Sequence, residues 1–258
     1  MNRQTQKRVL GIVAFASAAV IWQVIAVYVV GRSFILPSVT DVAGAFVDLL
    51  TSGTLFLDIT VSLEHFGIGL LAALILGVPI GILMGWFHVA DSLLDPIIEI
   101  LRPVPPLAWI PFAIIWFGLT AQAAGFMIFV GAFFPILTAT YSAFRSIPKV
   151  FVEAGKVLGC NTSFELIRHV ALPASIPAIA SGIRIAMGVG WMCLVGAEMF
   201  GVSKYGLGYQ LWHNFYLHQM PNVVVYMMIL GFTGLIIDRI FRNYVDGRLL
   251  RWHAGEVA

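Results

Sequence analysis

Charge is scarce in this chain: Asp, Glu, Lys and Arg make up 11% of 258 residues, and the balance of +2 is too small to point to a nucleic-acid partner. Cysteine is scarcer. Cys160 stands in a polar stretch and Cys193 in an apolar one, so neither a disulfide framework nor a metal-ligand spacing is present. No G-x-x-x-x-G-K-S/T run occurs, which excludes ATP binding by a phosphate loop within this chain. The histidines, His65, His88, His169, His213, His218 and His253, lie in or beside different boundary regions, and no nucleophile and base are read on one segment, which argues against an intramembrane hydrolase. No clear internal repeat and few intramembrane charges are seen, so a secondary transporter is the weaker alternative.

What is abundant is apolar. A hydrophobic content of 60% and a mean hydropathy of +0.93 place the chain in the membrane class. A hydrocarbon core of about 30 Å needs about 20 apolar residues at helical rise. Six segments meet this: Val9 to Val30, Ile59 to Phe87, Ile97 to Phe117, Ala123 to Phe144, Ile176 to Phe200 and Val223 to Phe241. The first has no small-residue cleavage site after it and should remain as an anchor. The expected fold is an all-α integral membrane protein of six spans, with residues 1–58 as an anchor plus outer interfacial segment, 59–242 as the core, a polar loop at 145–172, and a tail at 243–258.

Orientation follows from the basic residues. With the N-terminus inside, Arg3, Lys7, Arg8, Arg145, Lys149, Lys156, Arg168, Arg239, Arg242, Arg248 and Arg251 are cytoplasmic, against Arg32 and Lys204 outside. Both ends and the 145–172 loop then share the cytoplasmic side.

Between the first two spans, Leu36 to Asp41 reads as a turn and Val42 to Leu50 as a short interfacial helix. Glu64-His65 is read at the start of the second span, near the outer headgroups or facing another helix, with a proton site as the sharper alternative. Gly77, Gly81 and Gly85 recur every fourth residue of that span and predict close packing with a neighbour. Pro103, Pro105, Pro106 and Pro111 prevent a regular helix through the third span, so a broken helix is expected, with Glu99 and Arg102 able to pair near its cytoplasmic end. Arg184 and Glu198 in the fifth span should face protein or water, Arg184 by snorkelling to the cytoplasmic interface. Glu198, with Trp191 and Met192, reads either as a translocation lining or outer gate, or as a structural pair. The outer segment Gly201 to Asn222, with Tyr205, Tyr209, Trp212, His213, Phe215, Tyr216 and His218, reads as an aromatic belt.

The stretch on which the reading turns is Glu153-Ala154-Gly155-Lys156-Val157-Leu158-Gly159, followed by Leu172-Pro173. Apolar residues alternate with polar ones from Val150 to Val170, and Gly159 and Asn161 interrupt them, so two short helices with a bend at Gly159 are expected. The small face Ala154, Gly155 and Gly159 would admit another protein's backbone, with Glu153 or Lys156 pairing at its edge.

This stretch resembles the cytoplasmic Glu-Ala-Ala loop of permease subunits of bacterial ATP-binding-cassette importers. Glu153, Ala154 and Gly159 match, Gly155 replaces the second Ala, and Leu172-Pro173 lies one residue further on than the usual spacing. The proline block with Ile115-Trp116-Phe117-Gly118, and Gly188 to Trp191, Ala197-Glu198, Arg251-Trp252-His253 and Glu256, are similar to the nitrate, sulfonate and taurine importer permeases, most closely the taurine type. The resemblance implies a type I importer permease fold in the bacterial inner membrane. It implies a homodimer, with Glu153, Ala154, Gly155, Lys156, Gly159, Leu172 and Pro173 coupling it to two ATPase subunits that carry ATP and Mg. It implies an external substrate-binding protein, and a pathway or gate using Pro105, Pro106, Trp109, Trp191, Met192 and Glu198. No cofactor is expected on this chain itself. The cargo implied is a small anion, taurine or an alkanesulfonate first, with nitrate, bicarbonate, cyanate, aromatic carboxylate or a thiamine precursor as alternatives.

Overall fold

Helix α1 (Arg3–Val24) continues through a π-helical stretch, Ile25–Val30, and ends at Gly31. Its side chains Phe15, Val20 and Tyr28 stand exposed, as apolar residues facing lipid do. In this computed structural model residues 3–245 are described, and among them no strand occurs. Helix α2 (Val39–Thr51) opens with a reciprocal cap: the Ser38 hydroxyl accepts from Asp41 N–H at 3.1 Å, and the Asp41 carboxylate accepts from Ser38 N–H at 3.2 Å. The turn and short helix expected between the first two spans are therefore present, with the helix three residues longer at its start. Trp22 Nε1 donates to Pro37 O at 3.0 Å and ties this corner to α1.

Helix α3 (Thr54–Trp86) is followed by α4 (His88–Leu101), a 3₁₀ turn (Pro106–Trp109) and α5 (Ile110–Phe117). The two limbs around the proline block bend by 87°. Pro103, Pro105 and Pro106 cannot donate backbone hydrogen bonds, so the break falls where the sequence places it. Glu99 and Arg102 form no ion pair with each other among the described residues. The ion pair that α4 does make is between Asp91 and Arg145. Among the described residues five helices are long and apolar enough to cross a membrane, or six if the bent pair counts as one span, which is the number the sequence predicts.

Helix α6 (Ala121–Arg145) lies between α3 and α9 (Leu172–Met199), and these two pairs are the most extensive in the molecule. The glycine stripe sets the first contact: a Cβ on Gly81 would lie 2.7 Å from Thr140 Cβ and 2.9 Å from Leu137 O, and one on Gly85 2.5 Å from Phe144 Cβ. Backbones this close leave no room for a side chain, so the every-fourth glycines read from the sequence are at a helix contact. Gly131 does the same toward α9, where Cys193 Sγ fills the space, and Gly182 packs on Ala139. Replacing Gly81 with Leu is expected to force α3 and α6 apart, with loss of membrane yield and a lower melting temperature in detergent. Unchanged values for both would show that the stripe tolerates bulk.

Between α6 and α9 stand α7 (Lys149–Val157), α8 (Ser163–Leu166) and a π turn (Ile167–Ala171) that runs into α9. Beyond α9, α10 (Leu207–Tyr216) packs on α9 and α11 (Met220–Tyr244). The segment read as an aromatic belt is thus largely a helix, with Trp212 stacked on Phe215 at 5.3 Å. Residues 58 and 59 both lie within α3, where Asp58 is buried against Tyr226 of α11. Most of the tail at 243–258, with Arg248, Arg251, Trp252, His253 and Glu256, lies outside the described residues.

Candidate functional site

Helix α7 stops after Val157, and Gly159 at φ +101° turns the chain so that Thr162 can start α8. There the Thr162 hydroxyl accepts from Glu165 N–H at 3.2 Å, while Glu165 Oε2 accepts from the N–H groups of Thr162 at 3.0 Å and Asn161 at 2.8 Å. Glu165 is therefore committed to its own helix. Glu153, Ala154, Lys156 and Gly159 are exposed, as expected. Gly155 is not: it is buried, and a Cβ there would meet Val170 Cγ2 at 2.8 Å and Leu166 Cδ2 at 3.1 Å. Gly155 fastens α7 to the π turn of its own chain, so the partner-facing small surface is narrower than the sequence suggested. Leu172 packs inward against the Ala143, Phe144 and Ile179 cluster, and Pro173 sits in the first turn of α9, directly after the π turn. Both serve the junction with α9.

An apolar surface to which the sequence reading gave no role lies on the same hairpin. Val157 and Leu158 are each 86% exposed, and Val150, Phe151 and Phe164 are also exposed. Large apolar side chains left open together on a polar segment form a patch of the kind found at interaction surfaces.

At the other end of α9, Glu198 is fully buried. Ser62 Oγ donates to its Oε1 at 2.8 Å and lies 2.9 Å from its Oε2; Gly208 N–H donates to Oε2 at 2.8 Å, and His65 Nδ1 lies 3.0 Å from Oε1. Leu207 N–H donates to Ser62 Oγ at 2.9 Å. Gly206 at φ +128° brings its own N–H within 3.1 Å of Asp58 Oδ1, and Tyr226 hydroxyl donates to Asp58 Oδ2 at 2.9 Å. One polar network thus binds α3, α9, α10 and α11. Glu198 is enclosed and presents nothing to a passage, which corrects the pathway reading in favour of the structural pair. Ser62 and His65 also correct the reading that no hydroxyl and base share a segment. Their arrangement is not that of a hydrolase: the Ser62 hydroxyl points at the carboxylate, and no Ser62–His65 hydrogen bond is formed among the described residues.

The residue pattern from the α3 glycines to the α11 tail matches a family model described as the binding-protein-dependent transport system inner membrane component, over residues 77–250. The chain belongs to this family. It is a multi-pass membrane permease. An ABC transporter permease protein of Methanocaldococcus jannaschii is 40% identical over 252 residues, covering 96% of this chain and 93% of that protein. The taurine transport system permease protein of Escherichia coli is 33% identical over 204 residues, covering 79% of this chain and 73% of that protein. Among solved structures, the inward-facing MetNI methionine ABC transporter shares the fold, with a TM-score of 0.57 at 23% identity over 73% of this chain and 96% of that one.

The other residues expected to line a passage in this permease are divided by the structure. Pro106 lines a groove of about 550 Å³ between the bent α4–α5 span, α6 and α9. Trp109 turns inward instead, with its ring against Phe112 and Phe126 and beside the Ala123–Met127 core. Pro105 is exposed at the break. Trp191 donates to Leu230 O at 3.3 Å and lines a smaller cavity of about 260 Å³ with Arg184 and Asp238. Arg184 does not simply snorkel: its Nε and Nη2 donate to the two Asp238 oxygens at 2.6 and 2.9 Å, a fork across α9 and α11. Met192 is 75% exposed on the outside of α9.

Proposed function

We propose that this permease is the membrane subunit of an ATP-driven importer, working as two copies with two ATPase subunits on the cytoplasmic side and a soluble binding protein outside. The N-terminus and the α7–α8 hairpin are then cytoplasmic, in line with the distribution of Lys and Arg. The observation that carries the reading is the exposed apolar surface of Val157 and Leu158 on a hairpin flanked by Glu153 and Lys156. Burial of two such side chains is favourable by about 1.5–3 kcal/mol each, enough to seat a partner groove.

The transmission follows from the chain's own continuity. Gly155 locks α7 onto the π turn, and the helical run from Ser163 reaches Met199 without a gap. A displacement of the hairpin is carried as a rigid-body shift of α9, whose far end is bound by Glu198 to α3 and α10. ATP and Mg on the partner would supply the displacement, and alternating access of the two permease copies would be its result. The cargo favoured is a small anion, a sulfonate such as taurine, in line with the relatives above.

The test is co-purification in mild detergent with a co-expressed candidate ATPase subunit. A stable two-plus-two complex is expected for the wild type, and Glu153→Arg is expected to stay in the membrane at normal yield but to lose the ATPase and uptake. Absence of any ATPase from the wild-type preparation would return the chain to a self-sufficient transporter. Normal uptake by Glu153→Arg would remove that residue from the interface.

A further inference from the structure

Two arginines of the packed helices are neutralised by carboxylates. Arg145 is paired with Asp91, and Arg184 with Asp238. Arg102 is different. It lies at the break of the bent span and is exposed, and its guanidinium forms no ion pair or hydrogen bond among the described residues, although Asp95 and Glu99 precede it on the same helix.

Arg102 stands on the shared wall of two grooves. One, of about 500 Å³, carries Asp95, Glu99 and Tyr141 as well. The other, of about 550 Å³, is lined by the proline break and by α6 and α9 residues, and Arg102 is the one ionisable side chain of that lining. Thr138 and Ser142 belong to both walls. Thr138 spends its hydroxyl proton on Phe134 O at 2.8 Å, so it has no donor to offer. The Ser142 hydroxyl takes part in no hydrogen bond among the described residues and is exposed, so it can donate. The rest of the larger groove is apolar or small: Val130, Phe134, Pro135, Ile185 and Val189.

We infer that the larger groove holds a transit site for an anion, in which the Arg102 guanidinium takes the acidic head of the cargo and Ser142 Oγ donates to it. This rests on the importer reading and gives it a substrate-selecting residue inside the membrane subunit. A planar fork of donors fits the oxygens of a sulfonate or carboxylate, while the apolar wall receives a short carbon chain. The acidic groove on the other side of Arg102 repels the same anion, so the charge arrangement directs it to one face. With no carboxylate paired to the guanidinium among the described residues, it is available without breaking an ion pair, and one such charge per groove does not trap the cargo.

Two measurements decide it. In proteoliposomes holding the full importer, labelled taurine is the probe, and Arg102→Gln is expected to cut ATP-driven uptake about 10-fold or more. Stimulation of ATPase activity by the loaded binding protein should stay within about 2-fold of wild type, and Arg102→Lys should recover part of the uptake. Wild-type uptake by Arg102→Gln overturns the site.

The second measurement needs no transport. With Cys160→Ser removing the more accessible thiol and Cys193 buried, Ser142→Cys is expected to react about 5-fold or more faster with an anionic than with a cationic methanethiosulfonate. That preference is expected to vanish in Arg102→Gln. Equal rates, or a preference that survives Arg102→Gln, overturn the proposal. If the wild-type importer moves no taurine, the importer reading with this cargo fails, and the thiosulfonate ratio still scores the groove on its own.

Discussion

Glu198→Ala is expected to lower the melting temperature of the permease in detergent by roughly 10 °C. The side chain has no exposure to solvent and accepts hydrogen bonds from Ser62 Oγ and Gly208 N–H, with His65 Nδ1 at 3.0 Å. Truncation strands these groups in a dry interior, each at about 1–3 kcal/mol, and leaves a cavity where the carboxylate was. Breaking a buried network of this kind from one side costs about 3–5 kcal/mol, and at about 2–4 °C per kcal/mol for a chain of this size the shift follows. Glu198→Gln should fall between, since its amide oxygen can still accept from one donor while its NH₂ group faces Gly208 N–H or Ser62. Proteolysis between Gly201 and Tyr205 should accelerate in Glu198→Ala, because the network fastens the start of α10. A variant that melts within about 2 °C of wild type would show that the network does not hold the outer ends of the helices together.

That network was the part of the molecule least legible in the sequence. His65 on α3 reads as a boundary residue because polar groups in apolar helices usually stand at an interface, Asp58 and Ser62 carry no motif at all, and the partners of the three lie 133 to 168 positions away. Nothing in local spacing pairs them. The glycine stripe of α3 was legible because its period matches the helix, and the bend at the proline block because proline chemistry is local. Gly155 shows the opposite limit: a small residue in a motif looks the same whether its neighbour is a partner or its own chain, and only the position of Val170 tells the two apart. Helix α10 was hidden by its own aromatics, since Trp212, Phe215 and Tyr216 satisfy an interface pattern as well as a helix packed on α9 and α11.

The proposed ATPase contact makes the largest functional prediction at Val157 and Leu158. Each is 86% exposed, so neither contributes burial to the permease alone, and the double variant Val157→Asp with Leu158→Asp should keep wild-type yield and melting temperature. In the complex the same side chains would be covered. Losing their burial forfeits about 3–6 kcal/mol across the two, which is about 100-fold or more in Kd, before any cost of desolvating two carboxylates. The acidic pair also sits at the C-terminal end of α7, where the helix dipole disfavours negative charge by about 0.3–1 kcal/mol, a small penalty that Lys156 in the same turn offsets. Pull-down of the ATPase should therefore drop to background while the isolated permease is unchanged, and the volume-conserving Leu158→Met should bind nearly as wild type. Glu153→Arg acts through charge at the rim, so its effect should weaken as salt is raised, whereas the loss caused by the double aspartate should persist at high salt. Retention of the ATPase at wild-type stoichiometry by the double variant would move the contact off this hairpin, and with it the route by which α9 is proposed to be driven.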